Sequence, residues 1–198
     1  MCTAICYRNN FSYFGRNLDF YCGFCEKVVI TPRHFEIKMR CEKSIPSHYA
    51  MIGMARVIND ISLYFEATNE MGLSMAGLNF PENAVYNGFA EGKDNVTPFE
   101  LIPWILSKCS SVGEAKSLLN RINLVNIDFS KELPLTPLHW MVSDRKCSIV
   151  VESLKDGLKI YDNPFEVLTT IFAAPSFTPL IFPVSSTVTI LESVEDHV

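Results

Sequence analysis

Met1-Cys2-Thr3-Ala4-Ile5-Cys6-Tyr7-Arg8, then Asn9-Asn10-Phe11, then Ser12-Tyr13-Phe14-Gly15-Arg16-Asn17-Leu18-Asp19: two short apolar runs flanking an asparagine pair predict a β-hairpin. A hairpin brings its ends together, so the stretch from Arg16 to Asp19 is expected beside Cys2. Removal of Met1 is favoured by the small second side chain. It leaves a cysteine with thiol and α-amine on one Cα. A free thiol titrates near ~8.5 and an α-amine near ~8, so one residue can supply both the nucleophile and its base. Arg16 would favour the thiolate by its charge, and Asp19 would accept a hydrogen bond from the amine and orient it. Spacing alone does not separate this trio from an ordinary surface Arg/Asp pair, which is worth little.

Further strands are expected at Lys27–Thr31, Phe35–Met39, Tyr49–Val57, Leu63–Thr68 and from Leu73 to Ala76, with a turn at Asn69–Gly72. Thr97-Pro98-Phe99-Glu100 is a capping box with proline at the first helical position, leading into Leu101–Lys108. Ser111-Val112-Gly113-Glu114 is a second capping box, and Val112, Ala115, Leu118, Leu119 and Ile122 form one helical stripe. Strands return at Leu138–Ser143, Cys147–Glu152 and Leu158–Tyr161, separated by turn sequences. Strands, then two helices, then strands predict a layered α+β fold.

The 198 residues carry 17 Lys+Arg against 22 Asp+Glu, a net charge of −5, and 48% are hydrophobic. That balance excludes wholesale disorder. It also argues against a nucleic-acid surface, since the densest basic cluster is Lys38, Arg40 and Lys43 with Glu42 among them. Residues 167–191 lack charge, but Pro175, Pro179 and Pro183 interrupt them, so an irregular chain and no membrane span is expected. The start lacks the pattern of a signal peptide. With seven cysteines at unframed spacing, a reducing cytoplasm and free thiols are expected. Walker, GxGxxG and HExxH motifs are absent. Cys22-Gly23-Phe24-Cys25 has redox spacing without a βαβ context or a second pair for zinc, and reads as two thiols in a loop. His139 on an apolar strand reads as a satisfied core histidine.

Four segments carry a resemblance: Met1-Cys2-Thr3, Phe14-Gly15-Arg16-Asn17-Leu18-Asp19, Ala76-Gly77-Leu78-Asn79-Phe80-Pro81 and Leu138-His139-Trp140-Met141-Val142-Ser143-Asp144. Ile149-Val150-Val151-Glu152 and Tyr161-Asp162-Asn163-Pro164, leading to Val167-Leu168-Thr169, continue it. In that order they resemble the choloylglycine hydrolases, the family of bile salt hydrolases and penicillin V acylases. The resemblance implies an N-terminal nucleophile hydrolase fold, an αββα sandwich, here incomplete at the C-terminus. It implies that Cys2 is nucleophile and base, that Arg16 and Asp19 are its partners, and that Asn79 donates at the oxyanion site. Asparagine at that place is similar to the bile salt hydrolase branch; the penicillin acylase branch tends to carry tyrosine. The implied substrate is a glycine- or taurine-conjugated bile acid. No cofactor or metal is implied, and the assembly implied is a homotetramer.

The resemblance runs over residues 2–169, read as the nucleophile hydrolase domain. Residues 170–198 read as a divergent apolar tail, and Lys and Arg are absent after Lys159. Thr170 stands where the family has an asparagine that supplies a second oxyanion donor, and a late active-site arginine of the family has no counterpart. A frameshifted or truncated gene is therefore expected. The alternative functions are a catalytically impaired remnant that binds steroid-like amphiphiles and a penicillin-V-acylase-like amidase. A redox or zinc module built on Cys22 and Cys25 is a third.

Overall fold

The opening hairpin forms in the expected register. β1 (Thr3–Arg8) and β2 (Ser12–Asp19) pair antiparallel, with Thr3 opposite Asn17 and Arg8 opposite Ser12. The side chain of Asn9 shapes the turn by accepting from Phe11 N–H at 2.9 Å. The structure is a computed structural model that describes residues 1–19, 23–170 and 186–192.

After the hairpin come β3 (Lys27–Thr31), β4 (Met51–Ile58), β5 (Ile61–Asn69) and β6 (Ser74–Asn79). Next, β7 (Asp94–Val96) precedes a 3-10 turn at Pro98–Glu100 and helices α1 (Leu101–Lys108) and α2 (Val112–Leu119). β8 (Ile122–Leu124), β9 (Leu138–Ser143), β10 (Ser148–Leu154), β11 (Gly157–Asp162), β12 (Val167–Thr169) and β13 (Ser186–Glu192) complete the order. A seven-stranded sheet runs β11-β10-β9-β6-β5-β4-β3 and a four-stranded sheet runs β12-β1-β2-β13.

Two apolar layers hold these sheets. Cys2, Ala4, Cys6, Phe14 and Leu18 of the small sheet pack against Ala76, Leu78 and Met141 of the large one. On the other face of the large sheet, Met75, Trp140, Val142 and Ile149 share a core with Leu101, Ile105, Val112 and Leu119 of the two helices. Buried Asn69 ties helix to sheet: its Nδ2 donates to the carbonyls of Leu106 and Cys109, both at 2.8 Å. The capping box is present in full, and Pro103 falls in the first turn of α1, where its missing N–H leaves no bond unmade. Among the described residues this is a sandwich with helices on one outer face, three of the four expected layers. β3 and β4 extend past the small sheet, and Val28 and Ile30 on β3 are 65% and 67% exposed.

Several expectations need correction. Phe35–Met39 is not a strand: the segment makes a single bridge, Ile37 to Ile45, and Ile37 and Met39 rest on the helix-side core. Its alternation reflects packing of a loop rather than a ladder. Ile122 does not continue the second helix, which ends at Leu119; it opens β8, which pairs in parallel with β7. The tail is not irregular throughout, since β13 pairs antiparallel with β2 from Ser186–Asp19 to Glu192–Tyr13. Residues 171–185 and 193–198 of the tail, and Cys22, lie outside the described residues. The described cysteines, at 2, 6, 25, 41, 109 and 147, are free. Among the described residues, no helix is long and apolar enough to cross a membrane.

His139 is buried, but it is not satisfied by hydrogen bonds. Among the described residues neither ring nitrogen has a hydrogen-bond partner; the ring stacks on Phe80 at 4.5 Å, with a Glu152 oxygen 3.7 Å from Nδ1. Burial lowers its pKa to about 4, against about 6.5 unfolded. Between those values the unfolded chain binds a proton that the folded chain refuses, so stability falls as pH drops from about 6.5 toward 4. Urea midpoints measured at pH 7 and pH 4.5 should differ more for the native chain than for His139→Phe. Equal differences would exclude His139 as the cause.

Candidate active site

Strand pairing converges on Cys2 from both sides. β1 is flanked by β2 and β12, with Thr3 opposite both Asn17 and Thr169. The Cys2 side chain is only 3% exposed and faces the interior between the sheets. Ala4 lies opposite Arg16, so Cys2, two residues earlier on the same face, is a diagonal neighbour of Arg16.

Asp19, at the end of β2, reaches the chain terminus: its Oδ2 accepts from the Met1 ammonium. Asn17 clips the same stretch, accepting from Thr3 N–H at 2.6 Å and donating to Met1 O at 3.1 Å.

Arg16 is 4% exposed and is not a free cation. Nη1 donates to Glu66 Oε2 at 3.0 Å, and Nη2 donates to Gly77 O at 3.0 Å. Its guanidinium also lies 5.9 Å from the Phe65 ring centre. A charge buried this deeply needs its counter-ion: removing one partner of such a pair costs about 3–5 kcal/mol. Glu66, itself buried, thus takes up much of the charge that was expected to act on the thiol.

Asn79 ends β6, opposite Leu138. Together with Arg16, Leu18, Phe65, Phe129, Leu135 and Trp140 it lines an open cleft whose walls are mainly apolar side chains. The cleft arises from a strand that peels away. β6 pairs with β9 along its full length but with β5 only at Glu66–Thr68, and the β4–β5 register shifts between Met54 and Ala55. That irregularity swings the start of β5 away from β6, and the gap becomes the cleft.

Thr170 follows β12. Its N–H donates to Cys2 O at 2.9 Å, and its buried Oγ1 has no partner among the described residues. Of the site residues expected from sequence, Asp19 lies at the terminus, Arg16 is diagonal to Cys2, and Asn79 lines the cleft that Arg16 also lines, while Cys2 is not among the residues lining that cleft. Asn17, Glu66 and the Gly77 carbonyl were not expected. Asn17 was legible only through the register that puts it opposite Thr3. Glu66 carries no local signal, because it meets Arg16 only when the two sheets stack. Among the described residues there is no His/Cys/Asp/Glu group able to hold a metal ion.

Residues 2–179 match the profile of the linear amide C–N hydrolases, choloylglycine hydrolase family. The chain belongs to the choloylglycine hydrolase family. Within it, a bile salt hydrolase/transferase of Lactiplantibacillus plantarum is 52% identical over 169 residues, covering 85% of this chain and 52% of that protein. A bile salt hydrolase/transferase of Clostridium perfringens is 37% identical over 182 residues, covering 89% and 54%. The solved structure of the mutant C2A conjugated bile acid hydrolase from Clostridium perfringens aligns with a TM-score of 0.81 at 36% identity, covering 89% of this chain and 54% of that one. Penicillin V acylase from Agrobacterium tumefaciens aligns at 0.69 with 20% identity over 86% and 52%, which shows the shared fold. The sandwich is therefore the N-terminal nucleophile hydrolase fold. The chain spans about half the length of the curated relatives it matches.

Proposed function

We propose that this chain carries the nucleophile site of a bile-salt-hydrolase-like amidase acting on glycine- or taurine-conjugated bile acids. The observation that carries the reading is Cys2, buried at the start of β1, with the Asp19 carboxylate at the chain terminus and with its diagonal neighbour Arg16 lining an apolar cleft together with Asn79. After loss of Met1, the α-amine takes the thiol proton and Asp19 orients the amine. The thiolate attacks the amide carbonyl, and Asn79 donates to the oxyanion. The nitrogen leaves as glycine or taurine, taking the proton, and water then releases the bile acid from the acyl-enzyme. The apolar walls suit a steroid body, and the relatives share this chain's family and the names of such hydrolases. A cytoplasmic location is supported by the free thiols. A homotetramer rests on family resemblance alone. We retain residues 2–169 as the hydrolase domain, with the divergent tail after it lending β13 to the small sheet.

A second reading, a weakly active or binding-only protein, is favoured by one observation: the unpartnered hydroxyl at Thr170 where the family places an amide donor. Purified full chain incubated with glycocholate or taurocholate, with the free amino acid quantified, tests both. Release of glycine or taurine supports the amidase. Binding of the bile salt without release supports the second reading, and neither binding nor release rejects the substrate class.

A further inference from the structure

One wall of the apolar cleft is suspended from two side chains. Residues 128–137 largely bond to themselves. Ser130 and Leu133 form an isolated bridge, and Leu135 N–H donates to Asp128 Oδ1 at 2.8 Å. At the far end, the Tyr86 hydroxyl donates to Thr136 O at 2.9 Å and accepts from Leu138 N–H at 2.8 Å. At the near end, Arg40 donates from Nη1 to Asp128 O at 3.2 Å and from Nη2 to Phe129 O at 2.7 Å.

The guanidinium does more than bond. It lies over two rings, Phe99 at 5.4 Å and Phe129 at 5.3 Å, which meet edge to face at 5.3 Å. Both rings line the cleft. Arg40 is itself anchored, since its backbone N–H donates to Glu100 Oε1 at 2.8 Å, and Glu100 is the carboxylate of the capping box before α1. A path of direct contacts therefore runs from the helix cap through Arg40 to Phe129. A planar fork that bonds two successive carbonyls while stacking on rings is a task for arginine, not lysine.

We propose that Arg40 is a positioning residue for substrate binding: it holds the Phe129 wall so that the cleft receives a bulky apolar acyl group, without touching the reacting amide. The proposal rests on the amidase reading above. Arg40 is exposed and, among the described residues, its side-chain hydrogen bonds go to the loop carbonyls of Asp128 and Phe129, so its loss loosens the wall rather than the core.

Two measurements on the full chain test this. Lys131 sits exposed within the wall, and Lys155 sits exposed in the turn between β10 and β11. In Arg40→Ala, trypsin cutting after Lys131 should accelerate about tenfold relative to cutting after Lys155, the factor given by about 1.4 kcal/mol of lost restraint. Arg40→Lys should recover only part of the protection. In parallel, the Kd for glycocholate should rise about tenfold in Arg40→Ala. A short N-acyl glycine, too small to reach the wall, should bind both chains alike. Where turnover is measured, KM should carry the change and kcat should stay near the native value. An unchanged cutting ratio, or a loss of kcat at constant KM, would overturn the proposal. If the native chain neither binds nor cleaves glycocholate, the amidase reading fails instead, and the cutting ratio alone decides whether Arg40 holds the wall.

Discussion

Cys2→Ser should abolish bile-salt hydrolysis by this chain, a loss of roughly 10³-fold or more, as nucleophile replacements in hydrolases give. A serine hydroxyl is a far weaker nucleophile than a thiolate near neutral pH. The change is nearly isosteric, and Cys2 sits in a packed layer with Ala4, Phe14 and Leu78, so the fold should survive. Glycine release from glycocholate, compared for the two proteins at equal concentration, is the measurement. Intact mass must show Met1 absent from the active protein. Serine at full activity, or activity in a chain that keeps Met1, would sink the mechanism.

Thr170→Asn should act in the opposite direction, raising turnover about 10²-fold. An oxyanion donor is worth about 10²–10³ in rate, and position 170 is bonded to the nucleophile's own carbonyl, with Thr170 N–H 2.9 Å from Cys2 O. The threonine there is 6% exposed, with a hydroxyl that meets no partner among the described residues. A carboxamide extends further and presents an N–H donor that the hydroxyl does not match in reach. The same glycine assay checks this, with glycocholate affinity measured alongside. A gain in kcat at unchanged affinity supports an oxyanion role. No gain would mean that Thr170 is not what limits this chain.

What could be read from sequence, and what could not, divides along one physical line. The opening hairpin, the capping box at Thr97–Glu100 and the meander from Leu138 to Tyr161 are local: turn residues and apolar periodicity lie within a few positions of one another. The clustering of Cys2 with Arg16 and Asp19 followed from the hairpin and the motif together. The Arg16–Glu66 pair, the Arg40 clamp on Phe129 and the parallel pairing of β7 with β8 join segments dozens of residues apart, and no local pattern announces them. Phe35–Met39 misled because a loop draped over a core can alternate as a strand does. The cleft was illegible for a related reason, since it depends on a one-residue slip in pairing between β4 and β5.

The pairing of Thr3 with Thr169 has a consequence for biosynthesis. β1, which follows Cys2, is made first but acquires its second neighbour only when residue 169 has left the ribosome. At about 5–20 residues per second, that interval is on the order of ten seconds or more. During it β1 has only β2 as a strand neighbour, and the edge beside Cys2, which is 3% exposed in the finished fold, is completed when β12 joins. The order of synthesis thus sets the order of enclosure: the first strand of the small sheet is sealed on its second edge by one of the last to be made.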